Sequence, residues 1–345
     1  MKNTIAGVDL AKNVIQVCLV NNNKVISNEE LTSQQFMIWL HNSKPITIVF
    51  EACSMSNYWK QEALKRGHDA RLVSARLVSM IRQNQKTDRN DALAVAQASQ
   101  LTDVNFINGK TFKQQEMQSI MRMRELSVKH RVAVQRQISA LLLEFNIRIS
   151  PKAGGLSGVV ESVLEDAENE FTTAFRLALD ATWRCYLVHV ENIKAYEKAL
   201  ELAVKDHPQC QKLFALEGVG LINAVNLYIT IGCHDSGVFK SGRDVAACIG
   251  LTPVQHSSGG KTKIGSISKR VRNGSLRSCL VNGSMSMVKQ VDKREPRTEK
   301  ERWLKQLIDR KGKLCAAVAL ANKTVRTAFA MLTQDTAYKT QPLVA

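Results

Sequence analysis

Four acidic residues in the first part of the chain have the types and spacing that metal-dependent phosphodiester chemistry requires. Asp9 follows the first apolar run of the sequence, and Glu51 ends the β-branched run ITIVF. Asp88 and Asp91 lie three residues apart at the start of a segment rich in helix formers, so they share one helix face. Converging carboxylate oxygens would hold one or two Mg²⁺ ions. Two such ions, about 4 Å apart, stabilise the attacking and leaving oxygens in phosphodiester transfer.

Each acid also has a simpler structural interpretation. Asp88 could be the N-cap of the helix that follows, and Asp91 could interact with the helix dipole from the first turn. Glu51 is harder to explain this way, because an acid that ends a buried apolar strand is costly unless it has a partner. We therefore predict that the four acids form a metal site.

The elements that would position these acids alternate between strand and helix. Residues 4–9, 14–20 and 46–50 are apolar runs typical of strands. Further strands are predicted at Val25–Glu30 and His68–Val73, and helices at Gln34–His41, Asn57–Arg66, near Ala75–Arg82 and at 88–100. This alternation predicts an α/β domain, in which strand ends and a helix N-terminus can meet at one sheet edge.

A second candidate site lies in a polar, glycine-rich segment that we predict to be a loop, residues 252–266. It contains the run His256, Ser257, Ser258, Gly259, Gly260 and Lys261. A serine in such a turn can be exposed as a nucleophile, and glycine lets a phosphate approach the backbone closely. From the residues alone, an ordinary surface loop is the simpler interpretation.

The charge of the chain indicates a polyanionic partner. The formal net charge is +17 and the pI about 9.6. Residues 261–329 carry 18 Lys+Arg against 5 Asp+Glu, whereas residues 1–105 carry 12 against 9. The C-terminal part is therefore the stronger candidate for binding phosphates. No apolar run approaches the roughly 18 residues of a membrane span, the eight cysteines lack zinc-site spacing, and no signal peptide is recognised, so we expect a cytoplasmic protein.

The middle and the end of the chain are predicted to be mainly helical. Residues 114–146 contain neither Pro nor Gly, and an apolar stripe indicates a long amphipathic helix. After a break at 150–158, residues 160–205 return to helix, which suggests an antiparallel arm for dimerisation or for clamping nucleic acid. The alternative is an ordinary helical bundle. Further helices are predicted at 240–250, 297–310 and 313–333.

A Gly-Val-Gly turn at Gly218–Gly220 separates a helix predicted to end at Glu217 from the next helix. This arrangement resembles a helix-hairpin-helix element, whose backbone N–H groups bind a DNA phosphate. The signal is weak by itself, because Gly-x-Gly is common between helices.

Motifs in two distant parts of the chain identify a family. GVDLAK (7–12), FEAC (50–53) and KTDRNDA (86–92) resemble the N-terminal DEDD domain of the Piv-type transposases and DNA invertases, the insertion-sequence-110 family. That domain is similar to the RuvC resolvase in its RNase H-like fold. The segment 239–270, with its GL-P, SGGK and ISKR elements, is similar to the transposase domain of the same family.

The resemblance implies roles for individual residues. Asp9, Glu51, Asp88 and Asp91 would be the metal-binding acids, with Mg²⁺ or Mn²⁺ as the ion. Ser258, directly before Gly259, would be the covalent nucleophile, and Ser257 is the alternative. The remaining roles are suggested by the residues themselves: His256 would assist proton transfer or, as the preferred alternative, make a local hydrogen bond or contact a phosphate. Gly218 and Gly220 would contact nucleic acid together with six basic residues: Lys261, Lys263, Lys269, Arg270, Arg272 and Arg277.

We therefore predict a DNA transposase or recombinase that forms a phosphoserine intermediate. The resemblance also implies donor and target DNA, a structured non-coding guide RNA, a dimeric or tetrameric assembly, and action at the bacterial nucleoid. The predicted domains are a RuvC-like catalytic domain at 1–108, a coiled-coil-like helical arm at 109–208, a mainly α transposase domain at 209–335 and a tail at 336–345. Alternatives are a structure-selective nuclease that uses the same acids with water, a non-catalytic nucleic-acid-binding protein, and a scaffold built on the arm.

Overall fold

The computed structural model describes residues 4–104, 106–107, 109–151, 154–232, 239–267 and 274–343. The chain divides into two compact units. The first comprises Met1–Lys113 and Thr230–Val245, and the second comprises Gln114–Ile229 and Ala246–Ala345. Within the described residues, no helix has both the length and the apolarity needed to cross a membrane.

A five-stranded sheet forms the centre of the first unit. The strands are β1 (Thr4–Leu10), β2 (Ile15–Asn21), β3 (Lys24–Leu31), β4 (Thr47–Glu51) and β5 (Asp69–Val73), in the spatial order β3-β2-β1-β4-β5. The first three strands form an antiparallel meander, whereas β4 runs parallel to both β1 and β5. The strands predicted at 4–9, 14–20, 25–30 and 46–50 agree with the structure to within a residue or two.

Four helices cover the two faces of this sheet: α1 (Ser33–Asn42), α2 (Ser56–Lys65), α3 (Ala75–Ile81) and α4 (Asp88–Ala98). Phe36 of α1 and Trp59 of α2 pack with Phe50 on one face. Val49, the neighbour of Phe50 in β4, faces the opposite side and packs with Val95 of α4, as the alternation of side chains along a strand requires. The unit is therefore a mixed α/β layer structure, as predicted.

Two long helices of the second unit run antiparallel: α5 (Phe112–Glu144) and α7 (Thr173–Lys205). Arg124 near the start of α5 forms an ion pair with Glu197 near the end of α7. At the other end of the pair, Ile138 and Leu142 of α5 pack with Trp183 of α7.

The prediction of an uninterrupted helix over 160–205 was wrong. The structure has a separate helix, α6 (Gly155–Glu165), and α7 begins only at Thr173. The guanidinium of Arg176 stabilises the break by donating hydrogen bonds to the carbonyl oxygens of Val163, Leu164 and Asp166. The side chain of Thr172 then caps α7. Side-chain capping thus makes a turn that contains neither glycine nor proline.

The remaining described elements of the chain are helical apart from one hairpin. The elements are α8 (Pro208–Lys212), a 3-10 turn (Leu213–Ala215), α9 (Leu221–Ile231), α10 (Gly242–Ile249), β6 (Pro253–Ser258), β7 (Lys261–Ile267), α11 (Gly274–Asp292) and α12 (Glu299–Thr333). The helix predicted to end at Glu217 ends two residues earlier, at Ala215. The predicted interruption between 310 and 313 agrees with a kink at Gly312, whose φ is 80°.

Candidate active site

Asp9 and Glu51 lie side by side at the carboxyl ends of two parallel strands. Val8 of β1 pairs with Phe50 of β4, so the next residues in each strand, Asp9 and Glu51, are neighbours at the same sheet edge. Both residues are partly buried. The prediction that these two acids lie at strand ends that meet at one sheet edge agrees with this register.

The first turn of α4 brings Asp88 and Asp91 to the same part of the unit. Thr87 is the N-cap of this helix, and its Oγ accepts a hydrogen bond from the Asn90 N–H at 3.3 Å. The structure therefore excludes the interpretation of Asp88 as the N-cap. Asp88 is exposed, whereas Asp91 is buried.

Gly7 sets how closely α4 approaches β1. A Cβ at this position would overlap the carbonyl oxygen of Ala92 and the amide nitrogen of Ala96 in α4. Only glycine leaves room for this backbone contact. Because Gly7 precedes Asp9 by two residues and Ala92 follows Asp91, the contact lies next to the acids it brings together.

The four acids form one electrostatic cluster. Burial raises the pKa of Asp9 above its ordinary value, and the negative charges of Asp91 and Asp88 raise this pKa further. Burial also raises the pKa of Glu51, with additional contributions from the charges of Asp9 and Asp91. Desolvation and like charge both disfavour ionised carboxylates. The cluster thus concentrates negative charge that an added cation would neutralise.

Two basic side chains partly offset this charge. Arg82 Nη1 forms an ion pair with Asp91 Oδ1 at 2.6 Å, and the positive charge of Arg82 acts to lower the pKa of Glu51. The charge of Lys86 acts to lower the pKa of both Asp9 and Glu51. Sequence reasoning gave neither residue a role. Lys86 is part of the KTDRNDA motif and could have been noticed there, but nothing in the sequence marks Arg82.

The chemistry of the acids fits a divalent cation, whereas their present arrangement is not a finished coordination shell. Across the described segments, no group of three or more His, Cys, Asp or Glu side chains is arranged to hold a metal ion as it stands. Carboxylate oxygens are the ligands that Mg²⁺ prefers, and burial together with neighbouring negative charge raises the pKa values of Asp9 and Glu51. The four acids are therefore suitable donors by their chemistry.

The second candidate site is a β-hairpin, and the prediction of a loop over 252–266 was wrong. Strands β6 and β7 pair antiparallel around Gly259 and Gly260, whose φ angles are 55° and 75°. Two successive residues with positive φ are the signature of the type I′ turn, which matches the twist of two-residue hairpins. Nearly all residues of both strands are exposed.

The register places Ser258 and three basic residues on one face of the hairpin. Ser258 lies directly opposite Lys261, and His256 lies directly opposite Lys263. Residues two apart in a strand face the same side, so these four side chains share one face. Ser257, paired with Thr262, is on the other face. The exposed face that carries Ser258 is therefore the more basic of the two.

The remaining predicted nucleic-acid contacts have different surroundings. Gly218 has φ of 74°, accepts a hydrogen bond from Asn223 Nδ2 at 3.1 Å, and approaches Gly283 of α11 so closely that a Cβ would not fit. Packing thus explains this glycine, whereas Gly220 is exposed and open. Arg277 is half-buried in the first turn of α11. Lys269, Arg270 and Arg272 lie outside the described residues.

Two family models match the chain in the order of its motifs. A transposase model for the DEDD group of IS110 elements matches residues 6–147 and covers all four acids. The model described as transposase of the IS116/IS110/IS902 family matches residues 210–300 and covers the serine hairpin.

Curated relatives match almost from end to end. The chain is 33% identical over 336 residues to the transposase for insertion sequence element IS1111A of Coxiella burnetii, covering 97% of this chain and 91% of that protein. It is 31% identical to a probable family 20 transposase of Pseudomonas aeruginosa, covering 96% and 98%. It is 28% identical to the transposase for IS1328 of Yersinia enterocolitica, covering 97% and 98%.

An α/β unit with an acidic sheet edge, together with these matches, defines a transposase, an enzyme that acts on DNA. The non-catalytic interpretations are thereby set aside. The chain belongs to the IS110 family of insertion-sequence transposases. Its DEDD domain implies a divalent metal.

Proposed function

We propose that this transposase cuts and rejoins DNA strands by using Mg²⁺ at Asp9, Glu51, Asp88 and Asp91 together with Ser258 as a covalent nucleophile. The observation that carries this proposal is the convergence of the four acids at one sheet edge, where burial and then the charges of neighbouring acids raise the pKa values of Asp9 and Glu51. The strand order β3-β2-β1-β4-β5, with an antiparallel meander followed by parallel strands, supports an RNase H-like fold for residues 1–108.

The register of the hairpin supports Ser258 over Ser257 as the nucleophile. Ser258 shares its face with Lys261, Lys263 and His256, whereas Ser257 is paired with Thr262 on the other face. Positive side chains on the nucleophile's own face would hold the scissile phosphate against the hydroxyl. Gly259 and Gly260, with no side chains at the tip, leave the phosphate room to approach.

The proposed step conserves the energy of the phosphodiester bond. The Oγ of Ser258 bonds to phosphorus as the bond from phosphorus to O3′ breaks, and the DNA is left joined to serine through its 5′-phosphate. The serine proton passes to His256 or to water, and the departing O3′ takes up a proton to become a 3′-hydroxyl. The 3′-hydroxyl of a partner strand then attacks the phosphoserine, which releases Ser258 and forms the new DNA strand.

A divalent metal would polarise the scissile phosphate and stabilise the charge of the attacking and leaving oxygens. The four acids would hold this metal, and Lys261 and Lys263 add positive charge to the hairpin face that carries Ser258.

We also propose the remaining predicted partners: donor and target DNA, a structured guide RNA, and a second copy of the chain that contacts the antiparallel α5–α7 pair. The basic stretch 261–329 supports the nucleic acids, and family resemblance alone supports the guide RNA. The domain limits at 108, 208 and 335 and a cytoplasmic site of action remain part of this proposal.

The experiment that tests the nucleophile uses a supercoiled plasmid that carries the element's ends and a target. The plasmid is incubated with protein, the element's RNA and Mg²⁺, and the products are separated on denaturing gels with and without protease. We expect a protein-linked DNA band that Ser258→Ala abolishes and Ser257→Ala, the matched control, retains. Strand cutting that persists unchanged in Ser258→Ala would instead establish a metal-dependent nuclease that uses water.

The same assay tests the acids separately. Asp9→Asn keeps the shape of the side chain and removes its charge, and we expect both the cut strands and the protein-linked band to fall below about 1% of wild type, the scale of loss when transition-state charge stabilisation is removed. Full activity in this variant would overturn the metal site and leave the serine assignment standing.

A further inference from the structure

Arg82 contacts the acid cluster from a rigid position. It caps the carboxyl end of α3, and its backbone N–H donates a hydrogen bond to the Val78 carbonyl oxygen at 2.9 Å. Its side chain is only 22% exposed and reaches Asp91, whose side chain is 9% exposed. An arginine fixed at both ends in this way holds the carboxylate in one orientation, because little freedom is left to either partner.

The contact uses one carboxylate oxygen. Arg82 Nη1 donates to Asp91 Oδ1 at 2.6 Å, so the ion pair does not use Oδ2. Arginine often binds a carboxylate through both oxygens. A single-oxygen contact leaves the second oxygen available to a metal while it fixes the rotation of the group.

Lys86 is the other basic residue beside the acids, but its side chain is exposed and lies in the segment before α4. Arg82 is the one with a defined geometry, its ion pair with Asp91.

Stability alone is a poor explanation for this ion pair. Burying two charges costs desolvation that their attraction often only offsets, so buried pairs contribute little net stability. Partners that orient a metal-binding carboxylate are, in contrast, a regular requirement of metal sites, and their loss typically weakens metal affinity about 10–100-fold.

We propose that Arg82 is a positioning residue that holds Asp91 for metal binding. It fixes Oδ1, and with it the rotation of the carboxylate, and it leaves Oδ2 outside the ion pair. This inference rests on the proposed metal site. It goes beyond that site by assigning a role to a residue outside the four acids.

The test is a titration of the full-length, metal-free protein with Mn²⁺, in which free ion is measured by electron paramagnetic resonance. We expect Arg82→Gln to bind Mn²⁺ about 10–100-fold more weakly than wild type and Arg82→Lys to recover part of the loss, since lysine keeps the charge but not the planar fork. Arg76→Gln is the matched control, because it removes one positive charge from an exposed position of the same helix. It should bind as wild type does.

Each other outcome has a definite meaning. Wild-type affinity in Arg82→Gln would overturn the positioning role, and tighter binding would show in addition that the arginine competes with the cation. Equal weakening in Arg76→Gln would also overturn it, because net charge alone would then explain the effect. Absence of Mn²⁺ binding in wild type, or binding that survives in Asp91→Asn, would overturn the proposed metal site itself. Circular dichroism and thermal unfolding in chelator verify that each variant is folded.

Discussion

The acidic sheet edge and the serine hairpin are built in opposite ways. The acids come from two strands and a helix that are up to 82 residues apart in sequence, and packing around Gly7 brings them together. The hairpin is local: its turn and both strands lie within Pro253–Ile267, and nearly all of it is exposed. Tertiary structure thus positions the four acids proposed to bind metal, whereas a two-residue turn positions the proposed nucleophile.

This difference determines how each site should respond to change. A buried site that gathers like charges carries a stability cost, and its geometry fails when the surrounding packing fails. An exposed hairpin adds little to global stability, so it can be altered without unfolding the unit that carries it. Changes at the acidic edge should therefore alter stability and reaction together, and changes at the hairpin should alter the reaction alone.

The largest effect is expected for Gly7→Ala. The added Cβ would overlap backbone atoms of Ala92 and Ala96, which cannot move without shifting α4. We expect the free energy of unfolding to fall by about 1–3 kcal/mol, the usual cost of overpacking, and strand cutting to fall with it as Asp88 and Asp91 move. Chemical denaturation and the plasmid assay measure the two effects. Gly220→Ala, where a Cβ meets open space, is the stability control, and equal stability of the two variants would contradict the role of Gly7.

A smaller change in the free energy of unfolding, an increase rather than a decrease, is expected for Asp9→Asn in chelator. The pKa of Asp9 is raised in the folded state, so ionising this group destabilises the metal-free protein as pH rises above the ordinary value of 3.8. The amide removes this cost. We expect the variant to be more stable than wild type at pH 7 by up to about 1 kcal/mol, because solvent screens a partly exposed carboxylate, and we expect it to be inactive.

Glu62→Gln is the control for the direction of this change in stability. Lys65 and Arg66 lower the pKa of Glu62 through hydrogen bonds, so its ionised form stabilises the folded state above its ordinary pKa. Its amide variant should therefore be no more stable than wild type at pH 7. If Asp9→Asn instead melted at or below the wild-type temperature in chelator, the negative charge of Asp9 would not destabilise the folded protein.

The sequence allowed prediction of those parts of the fold whose pattern is local and apolar. The runs that became β1, β2 and β4 alternate or are continuously apolar, and their polar ends marked Asp9 and Glu51. The hairpin was missed because its strands have no buried face to produce such a pattern. The pair Gly259–Gly260 was the only local signal, and a glycine pair is also typical of loops.

Contacts between residues far apart in the chain could not be predicted from the sequence. The break between α6 and α7 depends on the Arg176 guanidinium reaching carbonyl groups 10 or more residues earlier in the chain. The Arg82–Asp91 ion pair similarly joins the end of one helix to the start of another. Neither arginine differs from a surface arginine until the fold is known, because only the fold supplies its partner.

The smallest effect on stability, and the sharpest test of the comparison, is expected at the tip of the hairpin. Gly260 has φ of 75°, a conformation that costs an alanine roughly 1–2 kcal/mol. Because the hairpin is exposed, Gly260→Ala should open it locally while global unfolding changes by less than about 0.5 kcal/mol. Gly259→Asn is the matched variant, since Asn-Gly is the preferred type I′ pair. Hydrogen exchange across 253–267 should rise in Gly260→Ala alone, together with a loss of protein-linked DNA. If Gly260→Ala retained the linkage despite an opened hairpin, then the turn would not position Ser258, and bound DNA would have to supply that order.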